Sequence, residues 1–177
     1  MEAFLGSLPQ KLSLLRDNKD LQVMIVLGNE SCDLDSAVCA LVYAHYWSSR
    51  TLAIPMLNIP RADIPLKTEV NFCIGEEKVA KIPCRDDLEL RDFVNLKLIL
   101  VDHHVLAPKD ANLTSKVVEI IDHREVNDAI KNYDETCNIK IELVGSCTTL
   151  ISEILLGDGY NVSKPNMYYH FFGNTKL

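Results

Sequence analysis

The 177-residue sequence has no run of about 18 consecutive apolar residues, which excludes a membrane-spanning helix. It opens MEAFLGSLPQKLSLLRDNKD, with no basic lead followed by an apolar block, so no secretory signal is expected. The cysteines Cys32, Cys39, Cys73, Cys84, Cys137 and Cys147 form no CxxC pair and are irregularly spaced. That pattern favours free thiols in a reducing compartment, the cytoplasm or the nucleus, over a disulfide framework. Basic charge is scarce: 18 Lys and Arg against 25 Asp and Glu, a net of −7. A global footprint for nucleic acid or an anionic membrane is therefore missing, while a local basic pocket or a divalent metal site stays open. Apolar residues, at 47%, are plentiful, which excludes low-complexity disorder. The length suits one domain, at roughly 100–200 residues per domain.

Residues 1–20 carry Phe4, Leu5, Leu8, Leu12 and Leu15 near helical spacing and predict an amphipathic helix. Val23 to Leu27 is a continuous apolar run ending at Gly28, the mark of a strand buried on both faces. Ser36 to Trp47 reads as a buried helix, with His45 packed within it, and Thr51 to Asn58 as a second strand. Prolines punctuate residues 59–96, where only a helix near Leu88 to Asn95 is expected. Leu98 to Val101 and Val117 to Ile121 read as strands ending in Asp102-His103-His104 and Asp122-His123-Arg124. Ile139 to Val144 reads as a further strand, and Gly145-Ser146-Cys147 opens a helix running to about Leu156. Alternating strands and helices predict a three-layer α/β/α domain over residues 21–156 with a mostly parallel, Rossmann-like sheet. The tail, residues 157–177, mixes turn residues with Tyr168, Tyr169, Phe171 and Phe172 and breaks the pattern.

Three apolar strands thus end in groups suited to metal binding: Asn29 to Ser36, with Asp33 and Asp35, then the two Asp-His pairs. Ligands of open α/β sheets bind beyond the carboxyl ends of the strands. Carboxylates gathered there repel one another, so divalent cations are the expected partners. Oxygen ligands with one or two imidazoles suit Mn²⁺ or Mg²⁺ better than structural zinc. Two such ions at roughly 3.5–4 Å can activate a bridging water and clamp a phosphoryl group. Each element alone has a plainer reading: Asp-x-Asp as a turn or helix cap, Asp-His as a cap. The three occurrences at one topological position carry the metal reading.

The segments VLGNESCDLDS, LILVDHH and IIDHR resemble the DHH phosphoesterase superfamily, which includes family II inorganic pyrophosphatases, nucleases and exopolyphosphatases. LNIPRADIPLKTEV, ELVGSCTTLISE and the Asn of GNExxDLDS resemble the prune homologue group within it. The resemblance implies roles for particular residues. Asn29 stands where pyrophosphatases place a metal-binding His, as a neutral oxygen ligand or as an orienter of a neighbour. Asp33 matches a first-metal ligand, Asp35 a second-metal ligand, Asp102 the carboxylate bridging both, and His123 a second-metal imidazole. Arg124 replaces the second His of the name-giving triplet and is expected to hold phosphate. His103 and His104 are candidates for proton transfer or phosphate contact, and Asp122 is expected to orient His123. The amides of the Gly145 turn either face an anion or make an ordinary strand-to-helix turn.

The resemblance therefore implies a metal-dependent phosphohydrolase acting on short-chain polyphosphate or pyrophosphate through a water activated by two ions. Nucleotide phosphodiesters are the alternative substrate. No nucleic-acid or membrane partner is expected, and no motif specifies a protein partner. In the superfamily a further strand brings a fourth acid, and a second domain binds the terminal phosphate. Neither is read after Leu156, so the DHH-type domain is expected to be incomplete at its C-terminal end. That expectation opens a second reading, a catalytically impaired form acting as a binding or regulatory module.

Overall fold

The computed structural model describes residues 1–160. The amphipathic helix α1 spans Glu2–Asp17, and the five residues with helical spacing, Phe4, Leu5, Leu8, Leu12 and Leu15, are all buried. Strands β1 (Val23–Leu27), β2 (Ala53–Met56), β3 (Leu96–Val101), β4 (Val117–Asp122) and β5 (Asn138–Ile141) form one sheet in the order β2-β1-β3-β4-β5. Every pairing is parallel. β1 and β2 are buried along their whole length, as unbroken apolar runs covered on both faces must be. The edge strand β5 is half-exposed, and its sequence is correspondingly more polar.

Helix α2 (Leu34–Trp47) crosses back from β1 and packs on β1 and β2; α5 (Cys147–Gly157) packs on β4 and on α2. This is the α/β arrangement of a parallel sheet with flanking helices read from the sequence. The β1–α2 turn is tight. A Cβ on Gly28 would lie 2.3 Å from Ser36 Oγ, so only glycine fits there. The same hydroxyl accepts the Asn29 backbone N–H at 2.7 Å, which locks the turn beneath the carboxyl edge of the sheet.

The segment 59–96 departs from expectation. The helix expected near Leu88 to Asn95 is a single 3-10 turn, Leu90–Asp92. The backbone beyond it is claimed by other segments: Val94 N–H donates to Lys19 O, and Asn95 O accepts from Val23 N–H. The helical structure lies earlier, as a 3-10 helix (Arg61–Leu66) and two short helices, α3 (Thr68–Ile74) and α4 (Glu76–Val79). Gly75, at φ +94°, separates α3 from α4, and each is too short to show a full apolar stripe. Of the tail, residues 157–160 close the described chain. Asp158 accepts a hydrogen bond from Tyr46, and the rest of the tail, including Tyr168 to Phe172, lies outside the described residues. No helix among the described residues is long and apolar enough to cross a membrane.

Candidate metal centre

The sheet register lines up the carboxyl ends of the strands. Leu27 pairs with Met56 on one side and with Leu100 on the other, and Val101 pairs with Ile121. Continuing that register sets Asn58, Asn29, Asp102 and Asp122 in a row across one edge. Asp102 follows β3 with a left-handed backbone (φ +62°) and is fully buried. Such a backbone is tolerated by aspartate and is costly enough to persist only where its surroundings enforce it.

Three ligand atoms converge there: a carboxylate oxygen each from Asp35 and Asp102 and a ring nitrogen of His123, all within 4.8 Å of one another. His123 Nε2 lies 3.2 Å from Asp102 Oδ1 and 3.9 Å from Asp35 Oδ2. Its Nδ1 lies 3.0 Å from Val144 O, and a carbonyl only accepts, so Nδ1 carries the proton. With Nδ1 so engaged, Nε2 is the ring nitrogen turned toward the two carboxylates. Asp102 Oδ1 is buried and makes no hydrogen bond. The donor set gathered there, two carboxylates and one imidazole, fits a divalent cation.

Each ligand is held from behind. Asp35 leads the first turn of α2, yet its carboxylate reaches the opening of α5, where it accepts from Cys147 N–H at 2.8 Å, Thr148 N–H at 3.0 Å and Ser146 Oγ at 2.9 Å. The anion faced by the Gly145 turn is thus the chain's own carboxylate. Burial pushes the Asp35 carboxyl up, but these hydrogen bonds outweigh it and leave it below the ordinary carboxylate range. Asp102 behaves oppositely: burial raises it to about 6, with Asp35 and Asp33 adding to the rise and Arg124 and His123 opposing it.

Asn29 lies beside Asp102 with its amide nitrogen, not its oxygen, toward the carboxylate: Nδ2 donates to Asp102 Oδ2 at 2.7 Å. Its Oδ1 accepts from Cys32 N–H at 2.9 Å and from Ser31 Oγ at 2.7 Å. Of the two roles expected for Asn29, this geometry is that of the orienter. Asp33 stands outside the converging trio. It caps α2, accepting Ser36 N–H at 3.0 Å, and receives the Ser31 hydroxyl at 3.1 Å.

Asp122 does not orient the His123 ring, as the sequence reading expected, because Val144 O already holds that nitrogen. It accepts instead from His104 Nδ1 at 2.5 Å and from the His123 backbone N–H at 2.8 Å. His103 rests its Nδ1 against Val101 O at 3.0 Å, and burial lowers its pKa. The Nε2 atoms of both histidines are buried without partners, and both residues line a cleft of about 440 Å³. Arg124 lies across the mouth of this cleft, bonded to Asp102 O and near Asp102 and Asp122 carboxylates. The pairing of His104 with Asp122 was not read from sequence, since the two residues lie on different strands.

A second acidic trio, Cys84, Asp86 and Asp87, has a different character. Arg16 and Arg61 already neutralise Asp87, and burial pushes the Cys84 thiol up to about 12.

Residues 23–171 match a family profile described as the DHH family, N-terminal domain. Exopolyphosphatase PRUNE1 of Mus musculus is 42% identical over 151 residues, covering 80% of this chain and 32% of the mouse protein. The manganese-dependent inorganic pyrophosphatase of Methanothrix thermoacetophila is 27% identical over 140 residues, covering 78% of this chain and 42% of that protein. The fold of an exopolyphosphatase-related protein from Bacteroides fragilis superposes with a TM-score of 0.53 at 14% identity, covering 90% of this chain and 45% of that one. The chain spans about a third of the length of the PRUNE1 relatives it matches. By the span of the profile match, this chain belongs to the DHH family.

Proposed function

We propose that the chain is the metal-holding part of a phosphohydrolase that cleaves phosphoanhydride bonds, with short-chain polyphosphate or pyrophosphate as substrate. The observation that carries the reading is the convergence of Asp35, Asp102 and His123 beside a cleft lined by Arg124 and by His103 and His104, whose Nε2 atoms have no partner. The names of the relatives, exopolyphosphatase and manganese-dependent pyrophosphatase, support the same chemistry. Mn²⁺ or Mg²⁺ would be held by Asp35, Asp102 and His123, with Asp33 and Asn29 at the margin of the set. Bound there, such ions supply Lewis acidity toward phosphoryl oxygens and lower the pKa of a water.

The remaining work belongs to the chain's own residues. Asp102 draws the site together: it is the carboxylate shared by His123, Arg124 and Asn29. Arg124 offers its guanidinium to charge developing on the transferred phosphoryl group. His103, with its proton on Nδ1, presents an acceptor at Nε2 for a proton released in the cleft. The free thiols support a reducing compartment, the cytoplasm or nucleus.

A second reading, a binding or regulatory module that holds one ion without turnover, is favoured by Asp33 and Asn29. Their side chains are engaged by the chain's own donors, which leaves one converging ligand set rather than two. Phosphate release from tripolyphosphate with Mn²⁺ or Mg²⁺, measured beside Asp102→Ala, separates them. Release abolished by Asp102→Ala supports the hydrolase; a folded protein that binds Mn²⁺ and releases nothing supports the module.

A further inference from the structure

Each carboxylate of the converging trio has one oxygen engaged by the fold and one turned to the centre. Asp35 Oδ1 accepts from Ser146 Oγ at 2.9 Å, from Thr148 N–H at 3.0 Å and from Cys39 Sγ at 3.5 Å. Asp35 Oδ2 accepts the Cys147 N–H at 2.8 Å and lies 3.9 Å from His123 Nε2. An ionised carboxylate has about two acceptor positions on each oxygen, so Oδ1 is saturated and Oδ2 keeps one.

Asp102 repeats the arrangement with other partners. Its Oδ2 accepts from Asn29 Nδ2 at 2.7 Å. Its Oδ1 makes no hydrogen bond and lies 3.2 Å from His123 Nε2. The trio therefore offers a cation three single atoms: Asp35 Oδ2, Asp102 Oδ1 and His123 Nε2. Nearby oxygens are engaged as well. Asn29 Oδ1 accepts the Cys32 N–H, Asp33 Oδ1 accepts the Ser36 N–H, and Ser31 Oγ lies within 3.1 Å of Asp33 Oδ2.

Such a donor count discriminates among hard cations. Ca²⁺ surrounds itself with about 6–8 oxygens and readily takes both oxygens of one carboxylate. Here the second oxygens are held away, and the third donor is a nitrogen. Mg²⁺ and Mn²⁺ suit octahedral sets in which water or phosphate oxygens complete a few protein ligands. The restraint on Asp35 is built into the helix opening. Ser146 Oγ also accepts the Thr148 N–H at 3.2 Å, as the cap of the 11-residue helix α5. Bringing Asp35 Oδ1 to the centre would break its bonds to Ser146 and Thr148 together.

We propose that Ser146, through Asp35, and Asn29, through Asp102, are positioning residues that hold each carboxylate to one-oxygen ligation and so make the centre select Mn²⁺ or Mg²⁺ against Ca²⁺. This rests on the reading of Asp35, Asp102 and His123 as a divalent-cation site. Calorimetric titration of the 177-residue chain with Mn²⁺ and, separately, with Ca²⁺ reads the selectivity without turnover. The parent chain is expected to bind Mn²⁺ roughly tenfold or more tightly than Ca²⁺. Ser146→Ala frees a position on Asp35 Oδ1 and is expected to narrow the ratio of Mn²⁺ to Ca²⁺ affinity roughly tenfold, the low end for changes behind a metal ligand. Ser146→Thr keeps the hydroxyl and should keep the ratio. Asn29→Ala removes the hydrogen bond to Asp102 Oδ2 and should narrow the ratio from the other carboxylate, independently of the α5 cap. A merely structural role lowers both affinities in proportion. Such a parallel loss, or a ratio unchanged in Ser146→Ala and Asn29→Ala, overturns the proposal. A parent chain that binds Ca²⁺ as tightly as Mn²⁺ also overturns it, while the cation site stands. Failure of the parent chain to bind either ion overturns the cation site, and the selectivity with it.

Discussion

The amide Nδ2 of Asn29 donates to Oδ2 of Asp102 at 2.7 Å, across 73 residues of sequence and between the ends of adjacent strands. One oxygen of this buried carboxylate is thereby satisfied by the chain, and the other, Oδ1, makes no hydrogen bond and faces His123 Nε2 at 3.2 Å and Arg124 Nη1 at 3.3 Å. Asn29→Ala removes the donor and leaves a buried carboxylate oxygen unpaired. The expected cost is about 1–3 kcal/mol of folding stability, measured by chemical denaturation without metal. Restoration of much of that loss by saturating Mn²⁺ is expected, since binding to the native state stabilises it by mass action. An unchanged denaturation midpoint would show that the bond contributes nothing.

Asp35 and Asp33 should respond differently to truncation. Asp35 converges with Asp102 and His123, so Asp35→Ala is expected to abolish high-affinity Mn²⁺ binding. Asp33 is a helix cap at the margin of the set. Asp33→Ala should cost about 1 kcal/mol of stability through the lost cap and no more than the roughly 10–100-fold in affinity typical of outer-sphere changes. Mn²⁺ titration followed by calorimetry reads both, and equal losses of affinity refute the distinction.

The turn before α2 leaves no room for a methyl group. In Gly28→Ala the new Cβ would meet Ser36 Oγ at 2.3 Å and drive it from the Asn29 N–H. A loss of about 1–3 kcal/mol is expected, with weaker Mn²⁺ binding because the same turn carries Asn29 and Asp33. The paired variant Gly28→Ala with Ser36→Ala should recover part of the stability by relieving the clash. Identical midpoints for the single and paired variants would count against a steric cause.

Stability should also fall on acidification through a residue outside the site. Burial lowers the pKa of His45 from 6.5 to about 4, with the charged N-terminus and Lys11 acting in the same direction. The unfolded chain therefore binds a proton below pH 6.5 that the folded chain refuses until about pH 4. The contribution is intact above pH 6.5, is lost progressively between 6.5 and 4, and is level below that. Allowing for solvent screening of this half-buried ring, about 1–2 kcal/mol is expected over that window. His45→Phe should flatten the slope of melting temperature against pH there. A slope unchanged by the substitution would assign the effect to other groups.

Much of the architecture was legible because it depends on neighbours in sequence. Unbroken apolar runs such as Val23 to Leu27 mark strands covered on both faces, and the three runs ending in acids and imidazoles placed the site at one sheet edge. Residues 59–96 were opaque for the converse reason. Their elements are short, and the expected helix at Leu88 to Asn95 gives way to long-range backbone bonds with Lys19 and Val23. The roles of individual site residues were legible only in part. By sequence Asn29 offers either an oxygen ligand or an orienter, and adjacency alone pairs Asp122 with His123.

The sequence by itself determined which residue types gather at the carboxyl edge, since strand ends and the small residues of Gly28 and Ser36 follow from local patterning. Only the tertiary structure decided what each does there. Asp35 is set by Ser146, Cys147 and Thr148, more than 100 residues away; His104 is set by Asp122, and Asn58 faces a cleft unpaired. A side chain's donor or acceptor face is chosen by the partner that folding brings to it. Chain spacing does not encode which partner that is.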